Sequence, residues 1–295
     1  MSVETPIPIF VMSYNDLVSL RLCLRALVRR TVRSHTITVI DNASTDPRLQ
    51  RYLRMLARLT RIQVVLRRWN LWVLGLNGPV RAWAKSAGPD DFFAVTDCDI
   101  LVPPVQRGQC WLRRLESAMR ANAAIGKLGL ALDLGYIKTR DAFAHTYRRE
   151  RFFMEGPRIG ELVIAPVDTT MALYRKNTFV TDLPLFVPPH QSLYRPYYYC
   201  CRTSGSFQAK HLSWRFYDRR DDRDVIAKLW CFGFMGATAV PALYERAPTW
   251  MQALHFTLKP LARVWWGSVV LALQLRYAVQ SFPRNFNRIQ ASRRA

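Results

Sequence analysis

The chain has no apolar run of the roughly 18 residues that a membrane-spanning helix needs. The nearest approach, Val264 to Leu275, is interrupted by Gly267, Ser268 and Gln274. Met1 to Ile9 lacks the basic start and apolar core of a secretory leader. Cysteine is sparse: six residues, at 23, 98, 110, 200, 201 and 231, show neither CxxC pairing nor zinc spacing. The adjacent Cys200 and Cys201 are poor partners for each other, so buried free thiols in a reducing cytoplasm are expected. A glycine- and lysine-rich phosphate loop is also missing, because the turn after the first apolar run is Ser13-Tyr14-Asn15-Asp16. That argues against a nucleotidyltransferase. Acidic residues are few, 21 Asp and Glu against 43 Lys and Arg, a net charge of +22. Such a charge favours polyanionic partners: nucleic acid, anionic lipid or acidic saccharide. Arginines such as Arg29, Arg30, Arg67 and Arg68 are spread rather than striped and no nucleic-acid motif occurs, so no nucleic-acid partner is expected, and a nucleic-acid-binding protein stands as an alternative reading of the charge alone.

Half of the 295 residues are hydrophobic, enough for a sizeable core. Ile7 to Met12 reads as a buried strand. Asn15 or Asp16 can cap the helix that follows, in which Leu17, Leu20, Leu24, Leu27 and Val28 recur at helical spacing. Thr36 to Ile40 is β-branched and strand-like, and Asp41 to Asp46 closes it with a polar turn. Asp46-Pro47 opens a second helix carrying Leu49, Leu53, Leu56 and Leu59, with proline at the first helical position. Ile62 to Leu66 is a third strand. A helix over about 79–87 leads to a fourth, Phe92 to Thr96, which ends in Asp97-Cys98-Asp99-Ile100. Another helix is expected over about 107–122. Shorter strands are expected near 127–132, 162–164 and 170–174. Strand–helix alternation of this kind builds a parallel sheet, because short loops cannot join parallel neighbours. Ligands then bind beyond the carboxyl ends of the strands, which brings the turns 13–16 and 41–46 to one site.

Asp97 and Asp99, two apart at a strand end, project to the same side of an extended chain. Paired carboxylates there repel unless a cation lies between them, and Mg²⁺ or Mn²⁺ take oxygen ligands while sharing themselves with phosphate. Two solvated turn aspartates are the plainer alternative. The position after three βα units favours a metal–diphosphate site.

Four segments, taken in order, resemble a family 2-type glycosyltransferase of GT-A fold. They are Phe10-Val11-Met12-Ser13-Tyr14-Asn15, then Val39 to Asp46, then Trp69-Asn70 with Gly75 and Gly78, then Val95-Thr96-Asp97-Cys98-Asp99. The resemblance implies a mixed, mainly parallel α/β sheet flanked by helices, with a nucleotide-binding half over 1–102 and an acceptor half over 103–255. It implies that Ser13, Asn15 and Asp41 contact the nucleoside of a nucleotide-diphosphate sugar, with Asn70 near the nucleotide. Asp99, with or without Asp97, would bind Mn²⁺ or Mg²⁺. The implied acceptor is a saccharide or a lipid-linked saccharide, in the synthesis of cell-surface polysaccharide or glycolipid. For Asn15 and Asn42, plain turn formation is an equal alternative.

Past residue 102 the family pattern fades, and the Glu-Asp pair that often supplies the base is missing. A non-catalytic saccharide-binding relative is therefore a competing reading. Asp168 is the first candidate for a base, since an inverting transfer needs a carboxylate within reach of the acceptor hydroxyl; an ordinary strand-start aspartate is weighed equally. His211, between Lys210 and Trp214, is a candidate third metal ligand. Asp133 is a weaker acceptor-site candidate, and the mixed charges of 218–224 read as a solvated helix start.

From Phe256 to Ala295 there are seven basic residues and no acidic one, around an apolar segment containing Trp265 and Trp266. Basic flanks about an amphipathic segment fit a helix lying on an anionic membrane surface. The chain is therefore expected to be cytoplasmic and peripheral on the inner membrane face. Packing of the helix on the domain, or on a second subunit, is the alternative.

Overall fold

The computed structural model describes residues 4–88, 90–123, 125–167, 171–176, 199–205, 207–215, 222–236 and 241–294. Its first half alternates as read: β1 (Ile7–Ser13), α1 (Leu17–Arg30), β2 (His35–Asp41), α2 (Pro47–Leu56), β3 (Ile62–Leu66), α3 (Asn77–Ala84) and β4 (Phe92–Asp97). After it come β5 (Ile100–Leu101), α4 (Trp111–Ala121), β6 (Ile125–Gly129), β7 (Ala131–Leu132), α5 (Ala144–Met154), β8 (Arg158–Ile159), β9 (Leu162–Ile164) and β10 (Ala172–Arg175). The described chain closes with β11 (Tyr199–Arg202), β12 (Gln208–His211), α6 (Asp222–Phe234), α7 (Pro241–Glu245) and α8 (Thr249–Arg294).

Nine strands form one mixed sheet in the order β3-β2-β1-β4-β10-β6-β11-β9-β8. The first four are mutually parallel. β10 lies antiparallel between β4 and β6, and there the parallel half gives way to a mixed half. A second, three-stranded sheet has the order β5-β12-β7.

Both faces of the large sheet are covered, so its central strands are buried on both sides. Ile9 and Val11 of β1 and Ala94 of β4 face a cluster with Leu20, Leu24 and Leu27 of α1, Leu49 and Leu53 of α2, and Trp111 and Leu115 of α4. Their alternating neighbours Phe10, Phe93 and Val95 face a smaller cluster with Val73, Leu76 and Val80. Asp16 caps α1 by accepting from the Ser19 amide at 2.9 Å, and Asp46 caps α2 with Pro47 at its start. Val28 and Leu59, read as helix-stripe residues, are instead exposed. Val28 projects away from the buried face, and α2 stops at Leu56 because the chain must turn back into β3. The helix expected from 107 begins at Trp111, after a bridge between Gln106 and Gln109. α5 was not anticipated; its one buried residue is Glu150, which pairs with buried Arg202 of β11 at 2.5 Å.

α6, α7 and α8 form their own cluster through Val225, Leu229, Leu243 and Met251. α8 starts at Thr249, so the boundary read at 255/256 falls inside a continuous helix. Among the described residues no helix is long and apolar enough to cross a membrane.

Candidate active site

The carboxyl ends of β1, β2 and β4 and the loop after β3 converge on one edge of the sheet. In-register pairing sets Ser13 opposite Asp41 and Met12 opposite Asp97. Ser13 is buried, and its hydroxyl has no hydrogen-bond partner among the described residues. Asp41 is buried as well and accepts from the Ser44 amide (2.9 Å) and hydroxyl (2.5 Å). Burial pushes its carboxyl above the ordinary aspartate value, and the two Ser44 hydrogen bonds offset part of that rise.

Asn15 joins the first two loops. Its Oδ1 accepts from the Thr45 amide at 2.7 Å and the Asp46 amide at 3.2 Å, its Nδ2 donates to Thr45 Oγ1, and its backbone amide donates to Ser44 Oγ. The residue sits in the left-handed region, φ 46°, a conformation asparagine tolerates better than most. The Asn15 side chain is thus engaged in holding loop to loop. Asn70 is likewise engaged locally, its Oδ1 accepting from the Trp72 amide at 3.0 Å.

Asn42 ties the second loop to the third. Its Nδ2 donates to the Trp72 carbonyl at 3.1 Å, while its buried Oδ1 has no hydrogen-bond partner among the described residues. A Cβ on Gly75 would stand 2.6 Å from that oxygen, so only glycine permits the approach. Arg67 braces the same loop, donating through Nη2 to the Gly75 carbonyl at 2.6 Å. Ala43 and Trp72 also have positive φ. Backbone strain of this kind persists where surrounding structure fixes it, and it clusters at functional sites. The signal was legible only in part: Asn42 and Gly75 stand in the motifs, whereas nothing in the sequence marks Arg67.

The acidic motif is not a straight extension of β4. The strand ends at Asp97, and Cys98-Asp99 form a turn. The Cys98 amide still donates to the Met12 carbonyl of β1 (2.9 Å), whereas the Asp99 carbonyl accepts from the Leu212 amide (2.7 Å) beyond β12. Asp99 is therefore where the chain leaves the large sheet for the small one, and the same-side alternation expected of Asp97 and Asp99 does not continue through it. The turn instead carries Asp99 to His211. β12 pairs antiparallel with β5, setting His211 opposite Ile100, and His211 Nδ1 lies 3.5 Å from Asp99 Oδ2 with both side chains largely buried. Ser213 Oγ is 3.0 Å from the same nitrogen, and the imidazole stacks on Trp214 with ring centroids 4.9 Å apart and planes 6° apart. Cys98, between the two aspartates, is buried, and burial first, then Asp99 and neighbouring acidic groups, holds its thiol well above the ordinary value. It is a protonated packing residue.

Among the described residues no three His, Cys, Asp or Glu side chains converge to hold a metal. The Asp99–His211 pair alone still suits one: adjacent ligands on a divalent ion, each about 2.1 Å from it, lie about 3 Å apart. Such a pair leaves the remaining positions to phosphate oxygens or water. Of the other sequence candidates, Asp133 meets Lys210 at 3.9 Å and folds back on the Gly135 amide. Asp168 and the 218–221 part of the charged cluster lie outside the described residues. The residue before Asp168, Val167, accepts through its carbonyl from fully buried Lys127 of β6 at 2.5 Å.

No protein-family model and no curated protein sequence matches this chain. Solved structures similar to it include GalNAc-T7 with UDP, GalNAc and Mn²⁺, at 10% identity and a TM-score of 0.46 over 70% of this chain and 43% of that one. The chain thus spans less than half of that structure's length. A second is the mannosyltransferase PcManGT from Pyrobaculum calidifontis in complex with GDP-Man and Mn²⁺, at 16% identity, TM-score 0.44, covering 99% of this chain and 85% of that one. A third is S. aureus TarS 1–349, at 14% identity, TM-score 0.42, covering 88% and 73%.

Proposed function

We propose that the chain is a metal-dependent glycosyltransferase that moves a sugar from a nucleotide-diphosphate donor to a saccharide or lipid-linked acceptor, in the building of a cell-surface polysaccharide or glycolipid at the inner membrane face. The observation that carries the reading is the meeting of Asp99 and His211 at the carboxyl edge of a sheet whose first three loops are braced together. In an open α/β sheet that edge is where nucleotides bind.

The roles follow from what each side chain has left to offer. Ser13 Oγ and Asn42 Oδ1, buried and without hydrogen-bond partners among the described residues, are the polar atoms a bound nucleoside would satisfy, since leaving such atoms unpaired costs free energy. Asp41 shapes the second loop through Ser44 and presents what remains of its carboxylate to the ligand. Asn15 and Asn70 hold the loops in the conformation that receives the nucleotide. Asp99 and His211 would hold Mn²⁺ or Mg²⁺, with Asp97 kept as a proposed ligand of the nucleotide-sugar or the ion. When bound, the ion neutralises charge developing on the departing diphosphate. Trp214 fixes the imidazole plane by stacking, so His211 approaches the ion with its ring plane already set. Asp168 is kept as the proposed base for the acceptor hydroxyl.

The test is a thermal-shift panel of nucleoside diphosphates with and without Mn²⁺, run on the wild type and on Asp99→Ala. The reading predicts a metal-dependent shift with one nucleotide class that Asp99→Ala abolishes. Undiminished transferase activity in Asp99→Ala would remove the metal from the mechanism.

A further inference from the structure

α8 has two unlike sides. One packs inward through Met251, His255 and Trp266 against α6, α7 and the loop after β3. The other leaves large apolar side chains in solvent: Leu261 is 64% exposed, Val264 72%, Trp265 65%, Leu271 56% and Leu275 62%. At about 100° per residue, these five fall within an arc of about 120° on one face. Ser268 and Ala272 are the residues between them in that arc, so it carries no charge over 261–275. At about 1.5 Å per residue the stripe runs for about 21 Å. Isolated exposed leucines need no explanation, but a continuous stripe of this length does.

The surrounding charge selects what covers it. From Phe256 to the end of the chain there are seven basic residues and no acidic one. Arg263, off the stripe, is held by the Gly236 carbonyl at 2.8 Å. A protein partner or a second copy of this chain would bring the stripe against an apolar patch with no reason for one-sided charge; a second copy would bring seven more positive charges to the contact. A bilayer rich in anionic lipid satisfies both features, taking the apolar arc to the depth of the acyl boundary while its negative surface attracts the one-sided charge of the segment. We infer that the 261–275 face of α8 docks the protein onto an anionic lipid bilayer.

The docking helix is also tied to the donor edge. Trp266 packs on Leu74 and donates through Nε1 to the Phe234 carbonyl at 2.8 Å. Phe234 in turn contacts Trp72, whose carbonyl holds Asn42. A bilayer under α8 therefore lies against the same structural unit as the nucleotide loops. Resting on the transferase reading, this favours the lipid-linked acceptor over a soluble saccharide.

Flotation with vesicles tests the docking without recourse to activity. The full chain should float with vesicles containing phosphatidylglycerol, far less with pure phosphatidylcholine, and should be released as salt is raised. The variant Trp265→Ser/Leu271→Ser, altered only at exposed positions, should keep its melting temperature and lose at least about tenfold in vesicle affinity, from the removal of two large apolar contacts. Equal flotation on both lipids, or equal flotation of the variant, overturns the inference. So does a wild type that sediments as a dimer while the variant is a monomer, since the face would then belong to a second copy. Nucleotide binding unchanged in the variant keeps this outcome separate from that of the catalytic reading.

Discussion

His211 Nδ1 stands 3.5 Å from Asp99 Oδ2 because one backbone hydrogen bond, from the Leu212 amide to the Asp99 carbonyl, fixes β12 in register against the turn that ends the acidic motif. The contact joins the turn after β4 to the end of β12. If both side chains serve one ion, their losses should not add: each variant removes the same site. His211→Ala should raise the Mn²⁺ concentration needed for nucleotide binding by at least about tenfold, and Asp99→Ala/His211→Ala should be no worse than Asp99→Ala alone. A Mn²⁺ titration of nucleotide affinity in all three variants measures this. Additive losses would assign the two residues to separate tasks.

Asn15 makes a different demand. Its side chain joins the first loop to the second, and its backbone is left-handed. Two substitutions separate these contributions. Asn15→Gly keeps the backbone free and loses the hydrogen bonds, at a cost of about 1 kcal/mol. Asn15→Ala loses them and also carries a left-handed Cβ, which adds about 1–2 kcal/mol. Urea unfolding of both reads the difference. Equal stability of the two would mean that the loop relaxes out of the left-handed conformation once the tie is gone.

The parallel half was legible because local signals agreed there. Asp16 and Asp46 are at once good caps and the actual caps; the apolar runs 7–12, 36–40 and 92–96 are strands buried on two faces, and 62–66 is the half-buried edge strand. Helix ends were less legible. Leu59 continues the apolar spacing of α2, but the need to return to β3 ends the helix first. The small sheet could hardly be read: β7 falls within the strand expected near 127–132, but as part of a different sheet from β6. β5, β7 and β12 are two to four residues long, too short for periodicity, and they exist only through long-range pairing. Hence His211 could be picked as a candidate from its residue type and neighbours, while its route to Asp99 could not. The turn at Cys98–Asp99 was out of reach for the same reason: the strand rule assumes continued extension, whereas β4 ends at Asp97.

Arg33 and Glu116 form a buried ion pair that links the turn after α1 to α4. Arg33 Nε donates to Glu116 Oε2 at 2.7 Å, and Arg120 adds 2.8 and 3.0 Å contacts to Oε1. Burial would raise the Glu116 carboxyl, but hydrogen bonds from Arg33 and Arg120, and their charges, outweigh it and leave the group below its ordinary value of 4.5. A depressed carboxyl contributes stability that is present above pH 4.5 and is lost as pH falls through the folded value. Glu116→Ala should therefore flatten the acid limb of the stability profile. It should also cost about 3–5 kcal/mol at neutral pH, because Arg33 would stay buried without its main partner. Denaturant unfolding between pH 3 and 7, values chosen to span the ordinary carboxylate range, measures both. A loss under about 1 kcal/mol would mean the pair behaves as a surface bridge, with Glu4, 3.0 Å from Arg33 Nε, taking over.

His255 sets the opposite limit on α8. It is buried between α6 and α7, its ring 5.7 Å from that of Tyr244, and a Cβ on Gly233 would meet its Nδ1 at 3.4 Å. Burial lowers its pKa below the ordinary 6.5; a hydrogen bond with the Leu229 backbone opposes this in part, and Lys259 adds to the lowering. For a base whose folded pKa is depressed, the unfolded chain binds the proton more readily. Stability is then full above about 6.5 and declines as pH falls toward the folded value. Packing of α8 on α6 should loosen first, since His255 sits at that seam, and amide exchange over 249–262 should quicken on going from about pH 7.5 to about 5.5 beyond the intrinsic change in exchange chemistry. His255→Gln, which cannot take up a proton, should show no such added opening. Equal pH dependence in wild type and His255→Gln would locate the acid sensitivity of this helix elsewhere.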